Sequence, residues 1–263
     1  MHLHRAHTTE TRTSTHAARP ASQACDYCPV HAQCLVRGCD RSTLALWQSM
    51  LQPTPPLRQS GACLFETGDA ADSLYMVRSG CIKTYALDRD GAECVRGLYL
   101  PGDIVGLDTL DADVHRVTAV AVTPSQVCAV PRDRVLSLME ESPLLMRRLM
   151  QRLSHDLAEA QALAGNHTAE EGVAAFLVSM MQRLPTGPSG ALQLPMTRRD
   201  IANYLRLATE TVSRVMTRFN ERGLISSSRQ RILITDRAAL EELASAVALP
   251  TPLVETEPAR RAA

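Results

Sequence analysis

The sequence predicts an α+β chain: an antiparallel β-roll of jelly-roll type, then a long helix, then a C-terminal winged helix-turn-helix. Three observations carry this. Between Cys63 and Pro131 short β-like runs (SLYMVRSG, CIKTYALDRDG, ECVRGLYLPGD, RVTAVAVTPSQVCAVP) are broken by turn signals roughly every 8–12 residues, as in an antiparallel barrel or jelly roll. From Arg132 to about Gly165 the pattern turns helical, with a break at Ser142-Pro143, where serine can cap and proline can open a helix. Finally, MTRRDIANYLRLATETVSRVMTRFNERGLI reads as two helices joined by a tight turn, and SSSRQRILIT as a small wing.

At 263 residues and 45% apolar composition the chain has material for more than one domain. Residues 1–20 are polar, aperiodic and expected to be disordered. A cysteine-rich arm follows at 21–45, the β-roll at 46–141, a dimerisation helix at 142–167, the DNA-binding domain at 168–245 and a flexible tail at 246–263. No apolar run approaches the ~20 residues of a membrane span, and the N-terminus lacks the apolar segment of a signal peptide. The expectation is a cytoplasmic chain without a membrane partner.

In a reducing cytosol the eight cysteines point away from disulfides and towards metal binding, redox chemistry or burial. Cys63, Cys81 and Cys94 are assigned to packing. CDYCPVHAQC is different: Cys25, Cys28 and Cys34 form C-x2-C-x5-C. This pattern suits zinc, with His31 or Cys39 as a fourth ligand, or an iron–sulfur cluster with a distant fourth cysteine, or an unmetallated arm. Spacing leaves these open.

In the long helix, Met146, Met150, Leu153, Leu157, Ala160 and Ala164 recur at 4-3-4-3-4 spacing. That is an a/d seam, which either pairs with a second copy or packs on the chain's own roll; DNA binding favours the homodimer. Lys plus Arg equals Asp plus Glu at 28 each, yet between Ala191 and Arg237 nine arginines face four acids, a local polyanion-binding signal. Thr197, with Asp200 three residues on, caps the first helix of the pair, Thr209 is expected to cap the second, and Gly223 to end it. Val212, Val215, Met216 and Phe219 form the inner face of the second helix. The outward set available to DNA is Thr209, Glu210, Thr211, Ser213, Arg214 and Arg218, with Thr197 and Arg198 at the first helix start. Arginine can bond bidentately to guanine and glutamate can accept from cytosine. Glu210 and Arg214, at i and i+4, can orient each other or form an ordinary surface pair. No P-loop, HExxH, G-x-S-x-G or dinucleotide fingerprint is present, so no enzyme is expected.

Barrel, long helix and winged helix-turn-helix together resemble the cyclic-AMP receptor protein superfamily. SLYMVRSGCIKTY, LPGDIVGLD, MTRRDIANYLRLATETVSR and the cysteine pattern are most similar to its fumarate and nitrate reduction regulator branch, the oxygen-responsive transcription factors of anaerobic metabolism. The resemblance runs from about Cys25 to Ser245. It implies a cyclic-nucleotide-binding-like roll and one 4Fe-4S cluster per chain on Cys25, Cys28, Cys34 and Cys128. It also implies a homodimer that works with RNA polymerase, and reading of a TTGAT-type inverted repeat in double-stranded DNA by Glu210, Ser213 and Arg214. The cyclic-nucleotide-responsive branch needs a glutamate after the PGD turn and an Arg-Ser pair in the next strand; Leu107 and His115-Arg116 stand there instead, arguing against a cyclic-nucleotide sensor. Nitric oxide or a haem-bound gas are alternative signals for the same architecture, and a zinc-stabilised DNA-binding module is a further alternative. Family members can carry an acidic residue in the helix seam; here Ala160 takes that place, with Glu159 beside it.

Overall fold

The computed structural model describes residue 25 and residues 28–187, 189–247 and 249–250. The expected disordered segment 1–20 lies outside them.

The arm coils through successive short turns: Cys28 N–H donates to Cys25 O at 3.1 Å, His31 to Cys28 O at 3.0 Å, Cys34 to His31 O at 3.2 Å and Arg37 to Cys34 O at 3.0 Å. Asp40 then caps α1 (Arg41–Met50), accepting from Thr43 N at 2.8 Å. The arm boundary expected at 45/46 therefore falls inside a helix, because the Asp40 cap starts it earlier.

Seven strands build the roll: β1 (Cys63–Phe65), β2 (Ser73–Ser79), β3 (Ile82–Leu87), β4 (Glu93–Tyr99), β5 (Ile104–Val105), β6 (Thr118–Ala121) and β7 (Gln126–Pro131). They form two antiparallel sheets, ordered β1-β6-β3-β4 and β5-β2-β7. Gly80 turns β2 into β3 at φ 84°, pressed so close to Pro124 and Ser125 that a Cβ would collide with their backbone. Side-chain alternation splits β2 and β7 between two cores. Tyr75, Val77 and Val127 join the interior with Phe65 and Ile82, whereas Leu74, Met76, Cys128 and Val130 face a second core shared with Cys25, Val36 and Trp47.

That second core includes Val135 and Leu138 of α2 (Arg132–Glu141) and Leu145 and Leu149 of α3 (Pro143–Ala164). Ser142 caps α3, accepting from Leu145 N at 3.4 Å, and Pro143 opens it. The face of α3 that packs on the roll is not the predicted seam. Met146, Met150 and Leu157 are 38, 51 and 59% exposed, Ala160 and Ala164 are exposed, and Leu153 is half-buried. On one chain the stripe is uncovered.

The C-terminal part runs α4 (Ala169–Arg183), β8 (Leu192–Gln193), α5 (Arg198–Tyr204), α6 (Thr209–Glu221), β9 (Ile225–Ser228), β10 (Arg231–Ile234) and α7 (Arg237–Ala244). Its sheet is ordered β8-β10-β9, so the proline- and glycine-rich connector contributes β8 as a third wing strand. A short turn, Ser245–Val247, follows and buries Val247. The tail expected from 246 thus starts as part of the core, since Val247 packs on it; residues 251–263 lie outside the described residues. Cys81, Val95, Leu98 and Leu100 of the roll share this core with α4, α5, α6 and α7. Cys81 is buried and Cys94 half-buried, but Cys63 is exposed at the roll edge and does not pack as expected. No described helix is long and apolar enough to cross a membrane.

Candidate nucleic-acid interface and cysteine site

Thr197 and Asp200 form the predicted capping box of α5: Asp200 N donates to Thr197 Oγ1 at 3.2 Å and Thr197 N to Asp200 Oδ2 at 3.0 Å. Asp200 also meets Lys83 Nζ of β3 at 3.1 Å, and Lys83 meets Glu93 at 2.5 Å, so the cap is held from the roll. Burial opposes its charge, but Thr197 and Lys83 outweigh that and keep the Asp200 carboxyl below its ordinary range.

The turn into α6 places Arg206 at φ 56°, and Leu207 N donates to Ala202 O at 2.8 Å. The N-cap of α6 is Ala208, without a side-chain cap. Thr209, expected as the cap, is the first helical residue, because the extended conformation falls one position earlier. Val212, Val215, Met216 and Phe219 are buried as predicted. Glu210, Arg214 and Thr217 are exposed, and Thr209, Thr211 and Ser213 half-exposed, along the other face. Among the described residues no ion pair joins Glu210 to Arg214. Arg218 is exposed on the same helix, and its Nε lies 2.9 Å from Glu170 Oε1 of α4, beside an Arg222–Glu170 contact at 3.1 Å. Arg198 is half-buried, and desolvation lowers its pKa. Asn220 ties α6 to the wing, donating to Ser227 Oγ at 2.8 Å and accepting from Ser227 N at 2.8 Å.

Two surface arginines, counted in the sequence only towards the local positive charge, stand out by their backbone conformation. Arg206 in the inter-helix turn and Arg229 at the wing tip hold positive φ (56° and 55°), where glycine would sit without strain. No composition signal separates them from other arginines; only backbone conformation does.

At the other end of the chain, the turns of the arm gather the predicted thiols. The groups that electrostatically oppose ionisation of Cys34 are Cys25, Cys28 and Cys128, so β7 delivers its cysteine to the same place as the arm. Burial, countered by Val36 N–H and joined by those thiols, pushes Cys34 up to about 12. Cys39 stands apart, beside Ser142 and Arg148, with its pKa raised by burial. Behind the site, Arg148 Nη1 of α3 donates to Leu35 O at 3.4 Å, and Gln52 N donates to Ala129 O at 2.8 Å. The arm is therefore fastened to the seam-bearing helix, and the chain just after α1 to β7.

Inside the roll, the position of a nucleotide clamp is filled otherwise. Leu107 and His115 are buried, with His115 stacked on Phe65 at 3.5 Å between ring centroids. Arg116 is turned outward to Asp111 at 3.3 Å.

Comparison with known proteins places this geometry. Residues 172–243 match the Crp-like helix-turn-helix domain and residues 58–142 the cyclic nucleotide-binding domain. Over 225 residues the chain is 36% identical to the transcriptional activator protein Anr of Pseudomonas aeruginosa, covering 84% of this chain and 92% of that one. It belongs to the fumarate and nitrate reduction branch of the cyclic-AMP receptor superfamily. The fumarate and nitrate reduction regulatory protein of Vibrio cholerae is 34% identical over 225 residues, 84% of this chain and 90% of that one. Among solved structures, FixK2 of Bradyrhizobium japonicum aligns with TM-score 0.64 at 30% identity, over 71% of this chain and 94% of that one. TTHB099 of Thermus thermophilus, at 22% identity and TM-score 0.61 over 73% and 97%, supports the fold alone. The chain is a DNA-binding transcription regulator of this family and not an enzyme.

Proposed function

We propose that the chain is an oxygen-responsive activator, a cytoplasmic homodimer that recognises a TTGAT-type inverted repeat when a four-iron four-sulfur cluster joins its arm to its roll. The observation that carries the reading is the convergence of buried Cys25 and half-buried Cys34 and Cys128 on one core, with half-buried Cys28 bonded to Cys25 O at 3.1 Å. Four soft thiolate donors suit such a cluster. A thiol pushed up to about 12 stays protonated at neutral pH unless a metal replaces its proton.

When bound, the cluster supplies an oxygen-labile link between arm and β7. The chain's own residues carry that link onward. Leu35 and Arg148 connect the arm to α3, and α3 turns Met146, Met150, Leu153, Leu157, Ala160 and Ala164 towards a second copy. A paired α3 sets two α6 helices about one DNA turn apart. Each offers Glu210, Ser213 and Arg214 to base edges, with Thr197, Arg198, Thr209, Thr211, Arg206 and Arg229 towards phosphates. Arg218, beside Glu170 on the exposed side of α6, is a further phosphate contact. Losing the dimer halves the contacts, so specific binding collapses.

Iron, sulfide and zinc analysis with an absorption spectrum, on protein purified without oxygen, tests the reading. Near four irons and four sulfides per chain are expected, lost in Cys128→Ala. Stoichiometric zinc, a haem band, or cluster content unchanged in Cys128→Ala would overturn it.

A further inference from the structure

The recognition helix α6 follows directly on α5, and α5 is held at both ends. At its last residue, Tyr204 Oη donates to Glu159 of α3 at 2.7 Å. Near its start, Asp200 divides its carboxylate between two partners. Oδ2 accepts from Thr197 N at 3.0 Å and closes the cap, while Oδ1 accepts from Lys83 Nζ of β3 at 3.1 Å. Two fixed ends define a helix axis. The bond from Leu207 N to Ala202 O, at 2.8 Å, ties that axis to the turn leading into α6.

Lys83 reaches Asp200 from within an apolar contact. Ile82 faces the roll interior, so Lys83 and Tyr85 stand on the opposite face of β3, paired with Leu98 and Val95 of β4. Leu98 and Val95 share a core with Ile201 and Ala202 of α5. Apolar burial has no direction, so this contact alone leaves α5 free to slide or turn on the sheet. The ion pair is directional and mostly buried: the side chains of Lys83 and Asp200 are 14 and 11% exposed, and Glu93 lies 2.5 Å from the same Nζ. Burial opposes the ammonium charge, but Glu93 and Asp200 outweigh it and hold the Lys83 pKa above its ordinary value. Such a pair adds little net stability over apolar groups of similar volume, and its best-attested use is to select one register among alternatives.

We infer that Lys83 is a positioning residue for DNA recognition: its ammonium, shared between Glu93 and Asp200, sets the angle at which each roll presents its helix-turn-helix, so that the two α6 helices of a dimer match one half-site spacing. This role rests on the proposed homodimer on an inverted repeat. Lys83 acts through α5 and not on DNA itself. One base pair added between half-sites moves the second by about 3.4 Å along the duplex and turns it by about 35°. Firmly oriented α6 helices reject that change, and loosely held ones tolerate it.

Fluorescence anisotropy on full-length protein purified without oxygen tests this with three DNAs: the TTGAT inverted repeat, the same repeat with its spacer lengthened by one base pair, and a single half-site. In Lys83→Met the affinity for the repeat should fall about tenfold or more and the preference for the shorter spacer should flatten, with half-site affinity within about twofold of the parent. Lys83→Arg keeps the charge and should keep the preference. Lys83→Met/Asp200→Asn removes both charges while the asparagine still accepts from Thr197 N, so its urea midpoint should return towards the parent with the spacer preference still flat. Reduced stability with the parent's spacer preference would reduce the pair to a structural contact and overturn the inference. Hydrogen exchange without DNA gives an independent reading: α5 amides should exchange faster in Lys83→Met relative to those of α7, and unchanged α5 exchange would also overturn it. A parent that binds the repeat no better than scrambled DNA would count against the operator reading instead, and the α5 exchange would then decide for or against Lys83.

Discussion

Asp103→Asn is the substitution whose cost the structure specifies best. The Asp103 carboxylate is buried, accepts from Leu100 N at 2.7 Å, and joins Arg152 of α3 at 2.9 Å and Arg183 of α4. Burial opposes its charge, but Arg183, Arg152 and the Leu100 N–H outweigh that and hold its pKa below the ordinary value. Asparagine keeps the shape and the Leu100 bond but removes the charge, leaving two guanidiniums against a neutral group. Breaking a buried pair from one side costs about 3–5 kcal/mol. Arg152 retains Asp156 at 2.9 Å, so the lower end, about 3 kcal/mol, applies here. Urea unfolding at pH 7 followed by circular dichroism reads the loss, and adding Arg183→Met should recover part of it. Because the folded pKa is depressed, the contribution is complete above the unfolded carboxylate value and disappears as pH falls through the folded one. The parent should therefore lose more stability than Asp103→Asn on acidification from neutral. A loss below about 1 kcal/mol, typical of a solvent-exposed pair, would refute the reasoning.

Arg206→Gly should relieve a left-handed arginine and raise stability by about 1 kcal/mol. If Arg206 contacts phosphate, the same change weakens DNA binding and lowers the salt slope by about one; an unchanged slope removes it from the interface. Arg214→Ala, at an exposed position, should leave the unfolding midpoint in place and cost about 1–3 kcal/mol of operator discrimination by fluorescence anisotropy. Equal losses on specific and scrambled DNA would mark it as a backbone contact instead. Glu159 is held by Tyr204 on the face opposite the seam, so its charge does not oppose pairing there. Cluster-free protein should therefore dimerise more readily than its Ala160→Asp variant in sedimentation at micromolar concentration. Identical distributions would show that position 160 lies outside the contact.

The long helix was legible because Ser142-Pro143 announces its start by local chemistry, and the start appears where the sequence puts it; the apolar stripe that the period marks is exposed on α3 apart from the half-buried Leu153. The inner face of α6 was legible for the same reason. Its cap was not, since Ala208 adopts an extended conformation that no side-chain signal marks. The Arg218–Glu170 contact was not legible, because helical spacing alone cannot reveal a partner on another helix, and Glu170 belongs to α4. Likewise PGD read as a turn, while the arginines that make Asp103 a three-way junction come from helices far along the chain. Cys128 was reached through family resemblance; the structural cause is β7 alternation, which turns it away from the roll interior and towards the arm.

The most direct test of the central claim is the affinity of one anaerobic preparation for a TTGAT inverted repeat, measured before and after exposure to air, at fixed salt. Loss of at least about a hundredfold on the specific site is expected, with little change on scrambled DNA. Equal specific affinity before and after air would contradict the account.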